Sequence, residues 1–212
     1  MAKQLPTHLS HKSALVLLPP SSIAAPIEGV RRTHDKNFER WPAHINLLYP
    51  FLSSPSEAIE NDQGSPLFLK AEIRARIVRA VQDIRPFHIT LDADPPGFFS
   101  HGNGGSKTVW LGPTTDSVQR LQAALQKEFS EANADRRPFV PHLSVGQVKS
   151  KVCLDELRTL IRKRVAEHMD HSPNEEAMSV ALDWHVDHVC VIQRNTKNDR
   201  FKVVETIKLG KQ

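Results

Sequence analysis

Two short apolar runs hold the residues of this 212-residue chain best suited to chemistry: His44-Ile45-Asn46-Leu47-Leu48 and Pro141-His142-Leu143-Ser144-Val145. In each, a histidine stands two residues before a small polar side chain. Both runs read as β-strands, and along a strand residues i and i+2 project to the same face. His44 with Asn46, and His142 with Ser144, therefore each form an imidazole beside a neutral hydrogen-bond donor. Imidazole titrates near 6.5, so one ring can act as base while another acts as acid. A base, an acid and two donors suffice to open a phosphodiester without a metal if both pairs face one cleft.

The surrounding pattern must position these pairs. Ala14–Leu18 reads as a buried strand stopped by Pro19-Pro20, and Ser21 or Ser22 is suited to cap the helix that follows. After the first motif, residues 52–66 form a polar loop, and apolar spacing of three and four predicts a helix over Phe68–Ile84. Strands are expected at Phe87–Leu91 and Lys107–Leu111, flanking a glycine-rich turn at Pro95–Ser106. A helix at Ser117–Ala132 leads to the second motif strand, and another spans Leu154–Met169. His185–Gln193 and Phe201–Leu209 read as a terminal hairpin. The order β-α-β-α-β-β-α-β-α-β-β suits an α+β fold with two antiparallel-rich sheets lining a cleft and helices outside. No glycine-rich strand-to-helix turn supports a doubly wound sheet.

Composition narrows the class. A hydrophobic fraction of 39% and a charged fraction of 25% fit a soluble globular protein. The formal charge of +4 suits an anionic substrate and falls well short of a nucleic-acid-coating protein. Cys153 and Cys190 have neither metal-ligand spacing nor a disulfide framework, and no run is long enough to span a membrane, so a cytoplasmic or nuclear protein without membrane contact is expected.

The motifs and their framework together resemble the two-histidine (2H) phosphoesterase superfamily, also called LigT-like or 2′-5′ RNA ligase-like. The strand ending in two prolines, Trp41-Pro42-Ala43-His44, Thr108-Val109-Trp110-Leu111-Gly112 and Pro138-Phe139-Val140-Pro141-His142 carry the likeness. The resemblance implies a bilobal domain over 13–212 behind a flexible tail at 1–12, monomeric and without a cofactor. It also implies a metal-independent phosphodiesterase acting on 2′,3′-cyclic phosphates of RNA ends or nucleotides, yielding 2′-phosphates. His44 and His142 would be catalytic, and Asn46 and Ser144 would hold the phosphate. Position 46 departs from the usual Thr or Ser, although an Asn amide still offers two N–H donors. A non-catalytic nucleotide- or RNA-binding module stays open, as does a phosphodiesterase for a 2′-5′ bond, an oligo(U) tail or a cyclic dinucleotide.

Other constellations compete less well. Phe87-His88-Ile89-Thr90 is a literal His-x-Thr on a strand, but it precedes the glycine-rich turn, where the family has no catalytic histidine. Gly102–Lys107 lacks phosphate-loop spacing. His168, Asp170 and His171, and His185, Asp187 and His188, resemble ligand clusters, yet strand alternation sends His185 and His188 to opposite faces, so no metal site is expected. Arg136 and Arg137 are candidates for substrate charge, and Trp41 and Phe139 for stacking a base. Phe51 is expected in the core, and the alternation turns Tyr49 away from His44.

Overall fold

The computed structural model describes residues 4–58, 67–102, 105–133, 137–169 and 180–211. Its elements in chain order are β1 (Leu9–Ser10), β2 (Ser13–Leu17), α1 (Ser21–His34), β3 (Ile45–Leu48), β4 (Phe51–Leu52), β5 (Ser56–Ala58), β6 (Leu67–Leu69) and α2 (Ala71–Val81). They continue with β7 (Phe87–Ser100), β8 (Lys107–Pro113), α3 (Ser117–Glu128), β9 (Leu143–Val148), α4 (Lys151–Met169), β10 (Ala181–Val186), β11 (His188–Gln193) and β12 (Lys202–Lys208).

Eight strands form one antiparallel sheet in the order β10-β7-β8-β9-β3-β2-β11-β12, and β1-β4 and β5-β6 are small separate pairs. The fold is α+β, and the two expected sheets are the four-stranded halves of this one. They meet where Ile45 of β3 pairs with Leu143 of β9. Both residues are fully buried in the main core, beneath helix residues such as Ile27, Ile77, Leu121, Leu125 and Ile161. Alternation therefore directs the motif side chains to the face away from this core.

The halves share a plan. β2-α1-β3 delivers the first motif, and β8-α3-β9 delivers the second. Each motif strand also has an extra residue three places after its histidine. Val16 pairs with Asn46 while Leu15 pairs with Leu48, which leaves Leu47 bulged. Trp110 pairs with Ser144 while Val109 pairs with Gly146, which leaves Val145 bulged. Bulges of this kind re-aim side chains beside functional sites.

Several expectations need correction. β7 does not end at Leu91. It runs to Ser100, because Pro95 and Pro96 fall where pairing with β8 jumps from Asp92↔Gly112 to Gly97↔Trp110, so their missing N–H groups interrupt no ladder bond. Much of the expected turn is thus strand. His185–Gln193 is two strands broken at Asp187: β10 pairs with β7 at one edge, and β11 lies between β2 and β12 in the other half. The β11–β12 hairpin is as expected. Neither Ser21 nor Ser22 caps α1, since the amides of Ile23 and Ala24 bond the Pro20 carbonyl instead. Within the segment read as a flexible tail, Leu9 is buried and β1 pairs with β4.

Candidate active site

An antiparallel register runs i+1 against j−1, so the Ile45–Leu143 pair sets His44 opposite Ser144 and Asn46 opposite His142. Two motifs distant in sequence thereby share one patch of one sheet face. The proximity of the two rings is also electrical, because a charge on His142 disfavours a charge on His44.

Each ring is held in the same way. Nδ1 of His44 lies 2.8 Å from the Pro42 carbonyl, and Nδ1 of His142 lies 2.8 Å from the Val140 carbonyl. A carbonyl only accepts, so Nδ1 carries the proton in both rings and Nε2 is the working atom. At His44 that atom receives a hydrogen bond from the Asn46 amide, with Nδ2 3.1 Å away. The other end of the amide, Oδ1, is buried without a partner.

Burial pushes the His44 pKa down to about 4, helped by the charges of Arg31 and His142 and opposed by the Pro42 bond and Asp35. Burial also lowers His142, against the Val140 bond. Both shifts favour the neutral ring at pH 7.

Beneath His44 lies a network that sequence reading does not single out. Arg31 is almost fully buried and donates to the Asp35 carboxylate at 2.8 Å and to the Trp41 carbonyl at 3.0 Å. The second Asp35 oxygen accepts the Asn37 amide at 2.9 Å and Gln147 Nε2 at 3.1 Å. The Gln147 carbonyl in turn accepts the Lys36 amide at 3.0 Å. Gln147 lies on β9, so this network ties the loop approaching His44 to the strand that follows His142. The Arg-x-x-x-Asp spacing is the available signal, but such i,i+4 pairs are usually surface pairs.

A cleft of about 470 Å³ opens beside the motifs, lined by Asn46, Tyr49, Phe99, Gln126, Phe139 and His142 among others. Arg137 lines it too, while Arg136 lies outside the described residues. Phe139 remains placed to meet a ligand. Trp41 does not: it is buried, its ring stacked on His44 at 4.5 Å and 16° and packed on Phe201 at 4.0 Å, so both faces are taken. Tyr49 corrects the parity expectation, because the Leu47 bulge returns it to the cleft side. Phe51 is fully buried against Phe129, as expected.

The competing histidines lie elsewhere. His88 stands opposite His185 on β10, ring centroids 4.6 Å apart, on an exposed part of the sheet. His188 bonds Asp187 instead of joining His185. Asp170 and His171 fall outside the described residues. Among the described residues, no group of three His, Cys, Asp or Glu side chains is placed to hold a metal ion, and no helix is long and apolar enough to cross a membrane.

Against this geometry, the family model described as the 2′-5′ RNA ligase superfamily matches residues 19–198. The chain belongs to that superfamily. Its match spans both motifs, the α1-β3 part of the first unit and the whole β8-α3-β9 unit. Among solved structures, the fold is similar to TT0787 of Thermus thermophilus, with a TM-score of 0.56 at 16% identity over 95% of this chain and 100% of that one. E. coli LigT in apo form gives 0.52 at 14% identity over 96% and 99%. A structure of E. coli LigT with 3′-AMP gives 0.51 at 15% identity over 94% and 98%. A search of curated protein sequences found no match. At these identities the structural likeness establishes the fold, and the chemistry rests on this chain's own residues.

Proposed function

We propose that this superfamily member is a metal-independent phosphodiesterase that opens 2′,3′-cyclic phosphates of nucleotides or RNA ends. The observation that carries the reading is the Ile45–Leu143 pairing, which turns two separate His-x-Asn/Ser motifs into one constellation with both Nδ1 protons anchored. That LigT has been solved with 3′-AMP is consistent with a nucleotide ligand for this fold.

In the proposed reaction the phosphate lies between the two rings. The more strongly depressed His44 is the base. A bound phosphate draws the Asn46 amide toward a non-bridging oxygen, and the freed Nε2 takes a proton from water as the water oxygen attacks phosphorus. The phosphorus bond to one ribose oxygen breaks, and Nε2–H of His142 protonates that oxygen. The anionic substrate supplies the charge that keeps His142 protonated despite its lowered pKa. Ser144 and Asn46 bond the oxygens on which charge accumulates. Each turnover leaves His44 protonated and His142 neutral, and exchange with solvent resets both. By the family resemblance, the product is a 2′-phosphate.

The test is product analysis of purified protein in EDTA with 2′,3′-cyclic nucleotides, 2′-5′ oligomers, uridine-tailed RNA and cyclic dinucleotides. Turnover confined to the 2′,3′-cyclic compounds supports the proposal. Activity that requires added divalent metal, or appears only on another linkage, overturns it. Asn46 occupying the His44 lone pair favours one rival, a binding module, for which nucleotide would bind without being cleaved.

A further inference from the structure

The sheet face that carries His142 and Ser144 continues onto β8 and β7 with an unusual floor. Trp110 pairs directly with Ser144 on one side and with Gly97 on the other. A Cβ placed on Gly97 would lie 2.4 Å from Cη2 and Cζ2 of the indole, and one on Gly112 would lie 2.6 Å from Cζ3. The ring therefore rests across both glycines, closer to the backbone than any larger residue would permit. Strand side chains ordinarily stand roughly perpendicular to their sheet. Here two absent side chains let the largest one lie down.

Lying down has a consequence for the space beside His142. An upright indole would stand into that space, whereas a flat one stays low against the sheet. Trp110 keeps partial exposure, its centroid is 6.2 Å from that of His142, and Phe99 stands beside it at 5.1 Å. Trp41 makes the contrast, being closed in by His44 and Phe201.

We infer that Trp110 is the platform on which the nucleobase of the reacting nucleotide stacks. This rests on the reading of His44 and His142 as the phosphate site, since the indole centroid lies 6.2 Å from that of His142. The platform selects nucleoside phosphates over base-free ones and discriminates weakly among bases, because every base offers a π face.

Binding measurements test this without requiring turnover. The probes are 2′-AMP and methyl riboside 2′-phosphate, which keeps the sugar and phosphate and lacks the base. Trp41 and Trp184 are buried, so quenching of the accessible tryptophan emission by 2′-AMP reports on Trp110. Trp110→Ala should weaken 2′-AMP binding by about ten- to one-hundredfold and leave the base-free ligand within about twofold. Trp110→Phe should retain most of the affinity. Gly97→Ala keeps the indole but forces it off the sheet, and should lose affinity for 2′-AMP alone. Circular dichroism checks that each variant folds. Equal weakening of both ligands by Trp110→Ala, or unchanged 2′-AMP affinity in Gly97→Ala, overturns the platform. Base-dependent binding without any cleavage would refute the phosphodiesterase and support the platform. Cleavage indifferent to the base would do the reverse.

Discussion

The two halves of the sheet use the same backbone device and finish it differently. Each has a β-α-β unit, an imidazole anchored on the carbonyl two residues back, a donor two residues on and a bulge at the third. In the first half the ring is closed in: Trp41 stacks on it, and Arg31 fixes the carbonyl of that tryptophan from within the core. In the second half the ring meets Phe99 edge-on at 4.8 Å and lines the cleft, with the Trp110 ring centroid 6.2 Å away. Identical anchoring thus gives unequal proton affinity, because what covers an imidazole, more than what bonds its Nδ1, decides how far its pKa moves. The closed half holds the ring that burial keeps neutral most firmly, and the open half holds one whose pKa burial also lowers.

Breaking either half should be costly. His44→Ala and His142→Ala are each expected to lower turnover of a 2′,3′-cyclic nucleotide by at least about 10²-fold, the scale of general acid–base catalysis. His88→Ala, whose ring packs on His185 away from the cleft, should stay within a few-fold. Steady-state rates decide the matter, and a large loss at His88 with little at His44 would reverse the site assignment.

The support beneath the closed half should matter nearly as much, in stability. Asp35→Ala takes the close, buried partner from the buried Arg31 charge, and should cost about 3–5 kcal/mol in urea unfolding. Glu28 lies 3.9 Å from the same guanidinium but is partly exposed, so Glu28→Ala should cost under about 1 kcal/mol. Similar losses for the two would mean that Asp35 carries no special share.

The halves should also separate in pH. A base must be deprotonated, so kcat/KM rises as pH passes about 4, where His44 of the free protein loses its proton. An acid must be protonated, so the rate falls as pH passes the His142 pKa, which lies below the ordinary 6.5. The expected profile is a bell on the acid side of neutrality. Residual activity in His142→Ala should lack the high-pH limb, and in His44→Ala the low-pH limb. If the limbs exchange, the acid and base roles exchange with them.

How much of this is legible in the sequence depends on range. The motifs, the α+β order and the β11–β12 hairpin are local patterns of period and punctuation, and they stand in the structure. What fails depends on partners far along the chain. Pro95-Pro96-Gly97 reads as a turn because nothing nearby shows that β7 continues past a break in its ladder. His185–Gln193 reads as one strand because alternation does not reveal that its two ends serve opposite halves. Arg31 and Asp35 look like an ordinary helix-surface pair until tertiary packing buries them. Trp110 reads only as part of a familiar strand. Its flatness needs Gly97 from one strand and Gly112 from its own, an arrangement no window of sequence displays. For the candidate site, the residue pairs are readable, but the unequal cover over the two rings is not.

The smallest expected effect tests the one departure inside the motifs. The Asn46 NH2 group can only donate, so its bond to His44 Nε2 favours the neutral ring and opposes the imidazolium. A threonine hydroxyl rotates, donating to the neutral ring or accepting from the protonated one, and so favours neither. Asn46→Thr should therefore raise the low-pH limb slightly from about 4, since burial still holds it down, while changing kcat by less than about tenfold, the worth of one net hydrogen bond. It also removes the buried, unpartnered Oδ1, so stability should hold or rise slightly. A rate change with an unmoved limb would place Asn46 on the phosphate alone. A gain of about 10²-fold or more would instead mean that the asparagine suppresses turnover, and that the closed half of the native protein binds nucleotide rather than cleaving it.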